Sequence, residues 1–248
     1  MFLAIDCGNT LTKGGLYQGE ELVFSFTIST AELAHDPLSA LKKELGGRGF
    51  SASIASVVVA SLATPLKEAL HSLCSGTAVR ILQQGERGII EEDIDDPSEV
   101  GSDILADLRG AKAAYGYPAF IADLGTADKY ILLGDDGAFK GMAIDSGLTV
   151  ATRALGLKAS ALEGFSLLPP KRPLGKNTAE CLSSGFLYGR KYSILGFANA
   201  FQKECKNPLK LIITGGNAPL VAPLLPEFTF DPNLSLKGLL DLHRSINK

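Results

Sequence analysis

Two short phrases in this chain carry the same chemistry. Residues 3–8 read Leu-Ala-Ile-Asp-Cys-Gly, and residues 120–125 read Phe-Ile-Ala-Asp-Leu-Gly. Each apolar run ends in an Asp (Asp6, Asp123). Gly follows (Gly8, Gly125), then Thr (Thr10, Thr126), then a second apolar run closed by a Gly/acidic turn at Gln18-Gly19-Glu20 or Gly134-Asp135-Asp136-Gly137. Glycine lets backbone N–H groups approach phosphate oxygens with no Cβ in the way. An Asp at the end of a buried strand can hold a hard cation or a water bound to one. A Thr hydroxyl and a nearby Lys add donors. A single Asp-x-Gly is also an ordinary turn. Its duplication in matched context points to two related lobes closing on a nucleotide and a metal ion. A third glycine turn, Gly215-Gly216-Asn217, has the strand-to-helix form that suits a nucleotide's sugar or base.

The elements that must position these residues follow from periodicity and turn signals. Phe2–Asp6, Thr12–Tyr17 and Glu21–Ile28 read as a β-meander. Thr30 is a cap for a helix from Ala31 to Leu45, stopped by Gly46-Gly47. Ser53–Ser61 is a continuous β-branched run, expected as a strand buried on both faces. Thr64-Pro65 opens a helix to about Leu73, and Val79–Leu82 is a short strand. The acidic stretch Glu91–Pro97 reads as a solvated loop, and Val100-Gly101-Ser102-Asp103 leads into a helix through Ala114. After Pro118 the plan repeats, with strands at Ala119–Leu124, Lys129–Leu133 and Gly141–Ile144 and a helical region from Gly147 to Leu155. Pro169–Pro173 marks an exposed loop. A long helix spans Asn177–Phe201 with small residues (Ser183, Ser184, Gly185, Gly189) on one stripe. A buried strand, Leu209–Thr214, and a further helix follow. The predicted fold class is α/β, with two domains at 1–117 and 118–248 and a C-terminal helix that can pack back on the first.

Composition narrows the function classes. Of 248 residues, 46% are hydrophobic and 21% charged, enough for a full core and against disorder. The net charge of −3 and the lack of a basic stripe argue against nucleic acid as a partner. Cys7, Cys74, Cys181 and Cys205 show no CxxC or zinc spacing and read as reduced, mostly buried thiols of a cytoplasmic protein. His35, His71 and His243 lie far apart and read as surface or cap residues. No apolar run approaches the ~20 residues of a membrane helix.

Several phrases together resemble the type III pantothenate kinases, of the acetate and sugar kinase/Hsp70/actin superfamily. They are Asp6-Cys7-Gly8-Asn9-Thr10-Leu11-Thr12-Lys13, Asp96-Pro97-Ser98-Glu99-Val100-Gly101-Ser102-Asp103, Asp123-Leu124-Gly125-Thr126-Ala127, Gly141 through Leu148, Asn177-Thr178-Ala179-Glu180, Ser184-Gly185, Tyr188-Gly189, Thr214-Gly215-Gly216 and Asp231 through Leu239. They run in family order through essentially the whole chain. The resemblance implies a two-lobed, actin-like (ribonuclease H-like) fold of duplicated mixed-sheet domains. The implied activity moves the γ-phosphoryl group of ATP to the primary hydroxyl of pantothenate, the first step toward coenzyme A. Carried over by residue, Asp6 holds Mg²⁺ through water, and Gly8, Asn9, Thr10 and Lys13 meet the phosphates. Gly125 and Thr126 meet phosphate from the second lobe, and Gly215 and Gly216 face the nucleoside. Asp103 is the general base, within a substrate segment of Gly101, Ser102, Asn177 and Thr178. Asp123 takes part in binding a monovalent cation, K⁺ or NH₄⁺. The resemblance also implies a homodimer; the small residues after Asn177 suit that, and equally suit an intramolecular helix pair.

The chain departs from the family pattern on the substrate side. The family has Arg directly after the catalytic Asp, where this chain has Ile104, and Tyr before the Asp-Pro step, where it has Ile94. After Asp-x-Gly-Thr-Ala the family has Thr-Thr, where this chain has Asp128-Lys129. An aliphatic chain does not replace a guanidinium that grips a carboxylate. Three readings follow. One is a pantothenate kinase whose grip has moved to another base, such as Arg109, Lys129 or Arg153; Arg109 is turned off the face of Ile104 by its five-residue step. The others are a kinase for a different small hydroxyl substrate and a catalytically weak nucleotide- or metabolite-binding regulator. Lys129 stands beside the cation segment, where its ammonium can take the cation's place.

Overall fold

The computed structural model describes residues 1–74, 76–158, 165 and 167–246. They form two compact units: Met1–Ala114 with the chain from Asn233 onward, and Tyr115–Pro232.

The first unit opens with an antiparallel meander of β1 (Phe2–Cys7), β2 (Leu11–Gln18) and β3 (Glu21–Ser29). Two helices follow, α1 (Thr30–His35) and α2 (Pro37–Leu45). The single helix expected over Ala31–Leu45 is broken at Asp36, because a residue before proline is pushed out of the helical region. Asp36 instead caps α2 through Ser39 N–H at 3.0 Å. The cap of α1 is Ser29, which accepts from Glu32 N–H, and Thr30 turns inward. Next come β4 (Ala52–Val57), α3 (Ala63–Leu73) and β5 (Ala78–Leu82). The run expected to stay extended to Ser61 leaves the sheet at Val57 and enters a 3₁₀ turn at Ala60–Leu62. The acidic stretch expected as loop holds a two-residue strand, β6 (Glu91–Glu92).

Helix α4 (Ser102–Tyr115) leads to the second unit. There β7 (Ala119–Leu124), β8 (Ala127–Leu133) and β9 (Ala138–Ser146) form another antiparallel meander. Helices α5 (Leu148–Lys158) and α6 (Thr178–Phe201) precede β10 (Lys210–Thr214), α7 (Ala218–Val221) and β11 (Thr229–Phe230). The last helix, α8 (Leu234–Ile246), is part of the first unit.

The units share one plan. In the first the strand order is β3-β2-β1-β4-β5, with β4 and β5 parallel to β1. In the second, β9-β8-β7-β10-β11 has the same order and the same senses. The central strands β1 and β7 are covered on both faces, so they read as unbroken apolar runs up to their Asp. In the first unit Leu3, Ile5, Leu16, Leu33, Leu41 and Leu66 share one core; α8 lies over β1, β2 and β4. In the second, Phe120, Leu124, Tyr130, Leu187, Ile194 and Ile213 form the corresponding core.

Helices α4 and α8 cross at two glycines. A Cβ on Gly238 would lie 1.9 Å from the Ala106 carbonyl oxygen, and one on Gly110 would lie 2.1 Å from that of Leu234. Backbone meets backbone here, so only hydrogen fits at either position.

Cys7 is buried, Cys74 and Cys205 are half-buried and Cys181 is exposed, so burial of the thiols is less complete than expected. His35 and His71 are exposed, as surface residues should be; His243 is half-buried and stacks on Phe2 with ring centroids 4.2 Å apart.

Candidate functional site

In the first unit, Asp6 is the penultimate residue of β1, and the turn Gly8-Asn9-Thr10 follows the strand. The turn is tied from beneath. Gly8 N–H donates to the Leu11 carbonyl at 3.1 Å, Thr30 N–H to the Thr10 carbonyl at 2.9 Å, and Thr30 Oγ1 to the Gly8 carbonyl at 2.8 Å. Buried Thr12 and Thr30 join hydroxyls at 3.0 Å below it. With its carbonyls engaged inward, the turn leaves Asn9 and Thr10 exposed. Burial pushes the Cys7 thiol up, which keeps it protonated and a poor nucleophile.

Asp6 itself is half-buried. Ser235, on α8, donates to its Oδ2 at 2.7 Å. Lys13 faces Asp6 across the antiparallel pair, and Ser56 lies beside it in the parallel pair. Ser56 Oγ donates at 3.0 Å to Ser102 Oγ, in the first turn of α4. The next residue is Asp103. The register partner of Asp6 is thus hydrogen bonded, hydroxyl to buried hydroxyl, to the residue that precedes Asp103. The Asp103 carboxylate folds back over the start of its helix. Its Oδ1 accepts from Ile104 N–H at 2.9 Å, and a Cβ on Gly101 would lie 2.5 Å from that oxygen. Ile104, where the resemblance implies Arg, is buried at 5% exposure. Arg109 is engaged elsewhere, with Asp241 Oδ2 at 2.7 Å and the Ile89 carbonyl at 2.8 Å. Arg153 is exposed, and Ile94 is half-buried.

The second unit repeats the arrangement with different supports. Asp123 is the penultimate residue of β7, and Gly125-Thr126 makes the turn into β8. Asn217 holds that turn by donating from Nδ2 to the Gly125 carbonyl and from its backbone N–H to the Leu124 carbonyl, both at 2.8 Å. Gly147 N–H donates to the Thr126 carbonyl at 3.0 Å. Gly215 adopts φ +95°, and a Cβ there would lie 2.4 Å from the Leu124 carbonyl oxygen and 2.6 Å from Asp123 Oδ1. Gly216 and Thr126 are exposed.

Lys129 Nζ forms an ion pair with Asp123 Oδ2. Asp128, fully buried, stands 2.8 Å from Arg190 Nε. Arg190 Nη1 also reaches Asp145 at 2.6 Å and Tyr130 Oη at 2.7 Å, and Nη2 the Ser146 carbonyl at 2.6 Å, which ties α6 to the meander. Burial pushes the Asp128 carboxyl up to about 7 against the pull of Arg190, with Asp123 and Asp145 adding to the rise. Arg190 holds the exposed Asp145 carboxyl below its ordinary value.

Asn177 and Thr178 start α6. Asn177 Oδ1 accepts from Glu180 N–H at 2.9 Å, and the Glu180 carboxylate accepts from Lys176 N–H at 2.8 Å and Asn177 Nδ2 at 3.0 Å. That is a reciprocal cap resembling a capping box, with Lys176 in place of the capping residue giving the backbone N–H, so the spacing of Asn177 and Glu180 has a sufficient structural reason. Part of the small-residue stripe also works locally: Ser183 Oγ accepts from Leu168 N–H at 3.2 Å, and Ser184 Oγ donates to the Pro173 carbonyl. Gly185 and Gly189 face open space.

Sequence reasoning overlooked Ser235, Ser56 and Arg190. Register could have found Ser56, since Ser56 neighbours Asp6 once β1 and β4 are paired. Nothing local marks Ser235.

The family model for type III pantothenate kinase matches residues 2–200. A type III pantothenate kinase of Thermus thermophilus is 35% identical over 252 residues, covering 98% of each chain. Among solved structures, a Campylobacter jejuni protein named for the Baf family superposes with TM-score 0.66 at 16% identity, covering 99% of this chain and 98% of that one. A Sinorhizobium meliloti protein named as a 2-dehydro-3-deoxygalactonokinase gives TM-score 0.62 at 14% identity, with 99% and 97% covered. These two structures carry the fold alone, the duplicated actin-like and sugar-kinase fold expected from the sequence. Full-length identity at this level, on that fold, places the chain in the type III pantothenate kinase family.

Proposed function

We propose that the protein transfers the γ-phosphoryl group of ATP to the primary hydroxyl of pantothenate, giving 4'-phosphopantothenate, the first step of coenzyme A synthesis. The observation that carries this reading is the bond from Ser56, register partner of Asp6, to Ser102, the residue before Asp103, which ties the β1/β4 pair to the start of the Asp103 helix. Phosphoryl transfer asks for positioning and charge neutralisation more than for covalent help. Asn9, Thr10 and Lys13, with Gly8, would take phosphate oxygens. In the second unit, Gly125 and Thr126 would serve as phosphate contacts and Gly215 and Gly216 as nucleoside contacts. Asp103 stands in the first turn of a 14-residue helix. It would accept the proton of the attacking hydroxyl, with Gly101 and Ser102 beside it at the same helix start; Asn177 and Thr178 are substrate contacts on the family resemblance.

The donor set at Asp6 fits Mg²⁺. A single carboxylate steadied by a serine hydroxyl is a hard oxygen ligand of the kind that ion binds alongside water. When bound, Mg²⁺ would supply charge neutralisation on the phosphates. Among the described residues no group of three or more His, Cys, Asp or Glu is placed to hold a metal. A homodimer, through the exposed side of α6 at Gly185 and Gly189, and a cytoplasmic location belong to the same proposal; no helix among the described residues is long and apolar enough to cross a membrane.

The test is ADP release from Mg-ATP with and without pantothenate. Pantothenate-dependent turnover is the expected result. A second reading, a kinase for another small hydroxyl substrate, is favoured by buried, aliphatic Ile104. It predicts slow ATP hydrolysis that pantothenate does not stimulate.

A further inference from the structure

The family resemblance implies a monovalent cation at Asp123, and the residues present do not fit one. Asp123 lies opposite Lys129 in the β7–β8 register, and their side chains, only 13% and 16% exposed, form an ion pair through Oδ2 and Nζ. On its other side the carboxylate is covered by Gly215, where even a methyl group would strike Oδ1. The neighbouring carboxylates, Asp128 and Asp145, both pair with Arg190. A positive charge therefore already stands at the place where an external one would bind. A second unit charge beside the same sheltered carboxylate would be repelled at close range, in surroundings that screen poorly.

We infer that Lys129 is a positioning residue that serves as a built-in monovalent cation, so that the Asp123 hairpin needs neither K⁺ nor NH₄⁺. A lysine ammonium has the charge of the free ion and is an alkylated form of NH₄⁺ itself. Held on β8, it is present at full occupancy without the entropy cost of capturing a free ion. The first unit shows the same cross-strand arrangement, Asp6 opposite Lys13. There the Oδ2 oxygen of Asp6 takes the Ser235 hydroxyl.

The test compares wild type with Lys129→Ala in KCl, NH₄Cl and choline chloride at equal ionic strength. Thermal melting and, resting on the kinase reading, pantothenate-dependent ADP release are both followed. Wild type is expected to melt and turn over alike in all three salts. Lys129→Ala is expected to lose about tenfold in turnover in choline and to recover much of it in K⁺ or NH₄⁺. Its melting temperature should rise with those ions and not with choline. A K⁺-dependent rise in wild-type melting or turnover would overturn the inference. So would a folded Lys129→Ala protein indifferent to all three salts. If Lys129→Ala does not fold, the wild-type salt response still decides. If no pantothenate turnover is seen in either protein, the kinase reading fails and the melting comparison judges Lys129 alone.

Discussion

Ser235 Oγ donates a 2.7 Å hydrogen bond to Asp6 Oδ2 across a sequence separation of 229 residues. The last helix thereby fixes the orientation of the carboxylate near the end of the first strand. A hydrogen bond to a charged group contributes about 1.5–3 kcal/mol. Ser235→Ala is expected to lower kcat/KM for Mg-ATP about tenfold and to move the Mg²⁺ dependence to higher concentration. Steady-state rates over a Mg²⁺ series check this; an unchanged series would remove Asp6 from the metal site.

Asp103 is separable from nucleotide binding. Its carboxylate rests on its own helix start, against Ile104 N–H, so Asp103→Asn keeps shape and hydrogen bonding while removing the base. Turnover should fall about 10²–10⁴-fold. ATP affinity, read by calorimetry, should hold within about twofold. Full activity in the variant would make Asp103 a helix-start residue and nothing more.

Asp128 sets a pH dependence whose sign follows from burial. Its carboxyl stands at about 7 in the folded chain, against about 4 unfolded. Between those values the folded protein keeps a proton that the unfolded chain releases. This group's contribution to stability therefore falls as pH rises through the window and is level above it. Asp145 acts oppositely and lower: its carboxyl is depressed by Arg190, and its contribution is lost only as pH falls below the ordinary carboxylate range. Asp128→Asn should flatten the slope between about pH 5 and pH 7, on the order of 1–2 kcal/mol, in urea unfolding at each pH. An unchanged slope would assign it to other groups. Arg190→Met, which strands buried Asp128, should cost about 3–5 kcal/mol in the same measurement.

The crossing of α4 and α8 leaves no room for a methyl group. Gly238→Ala places carbon 1.9 Å from the Ala106 carbonyl oxygen, so the helices must separate. A loss of about 1–3 kcal/mol is expected. Because α8 carries Ser235, the shift should also weaken Mg-ATP kinetics in the folded variant. Stability within error of wild type would show that the crossing relaxes freely.

Much of the frame was legible because it is local. Glycine turns and apolar runs announced both meanders, and the Asp-x-Gly repeat marked the matching ends of β1 and β7. The break at Asp36-Pro37 was also written in the chain, but the helical periodicity on either side masked it. Lys129 could be placed beside Asp123 from hairpin length alone. Ser235 and Arg190 could not be found this way: each reaches its partner only after separate elements dock, and no local pattern encodes docking. The glycines at 110 and 238 share that difficulty, since each is explained by the other's helix.

The first unit is completed by a segment far from the rest of it in sequence. Its sheet and α1–α4 precede the second unit, yet the helix that covers β1 and steadies Asp6 begins at Leu234. The second unit is contiguous, from Tyr115 to Pro232. On a ribosome, where domains fold as they emerge, the half made second is the first whose parts are all available. The half made first must wait, with the apolar surface meant for α8 uncovered, until the residues from Leu234 onward leave the exit tunnel. A transcript truncated before Leu234 would thus yield a chain lacking the hydroxyl on Asp6 and the cover on its central strand together, so that incomplete synthesis and inactivity coincide.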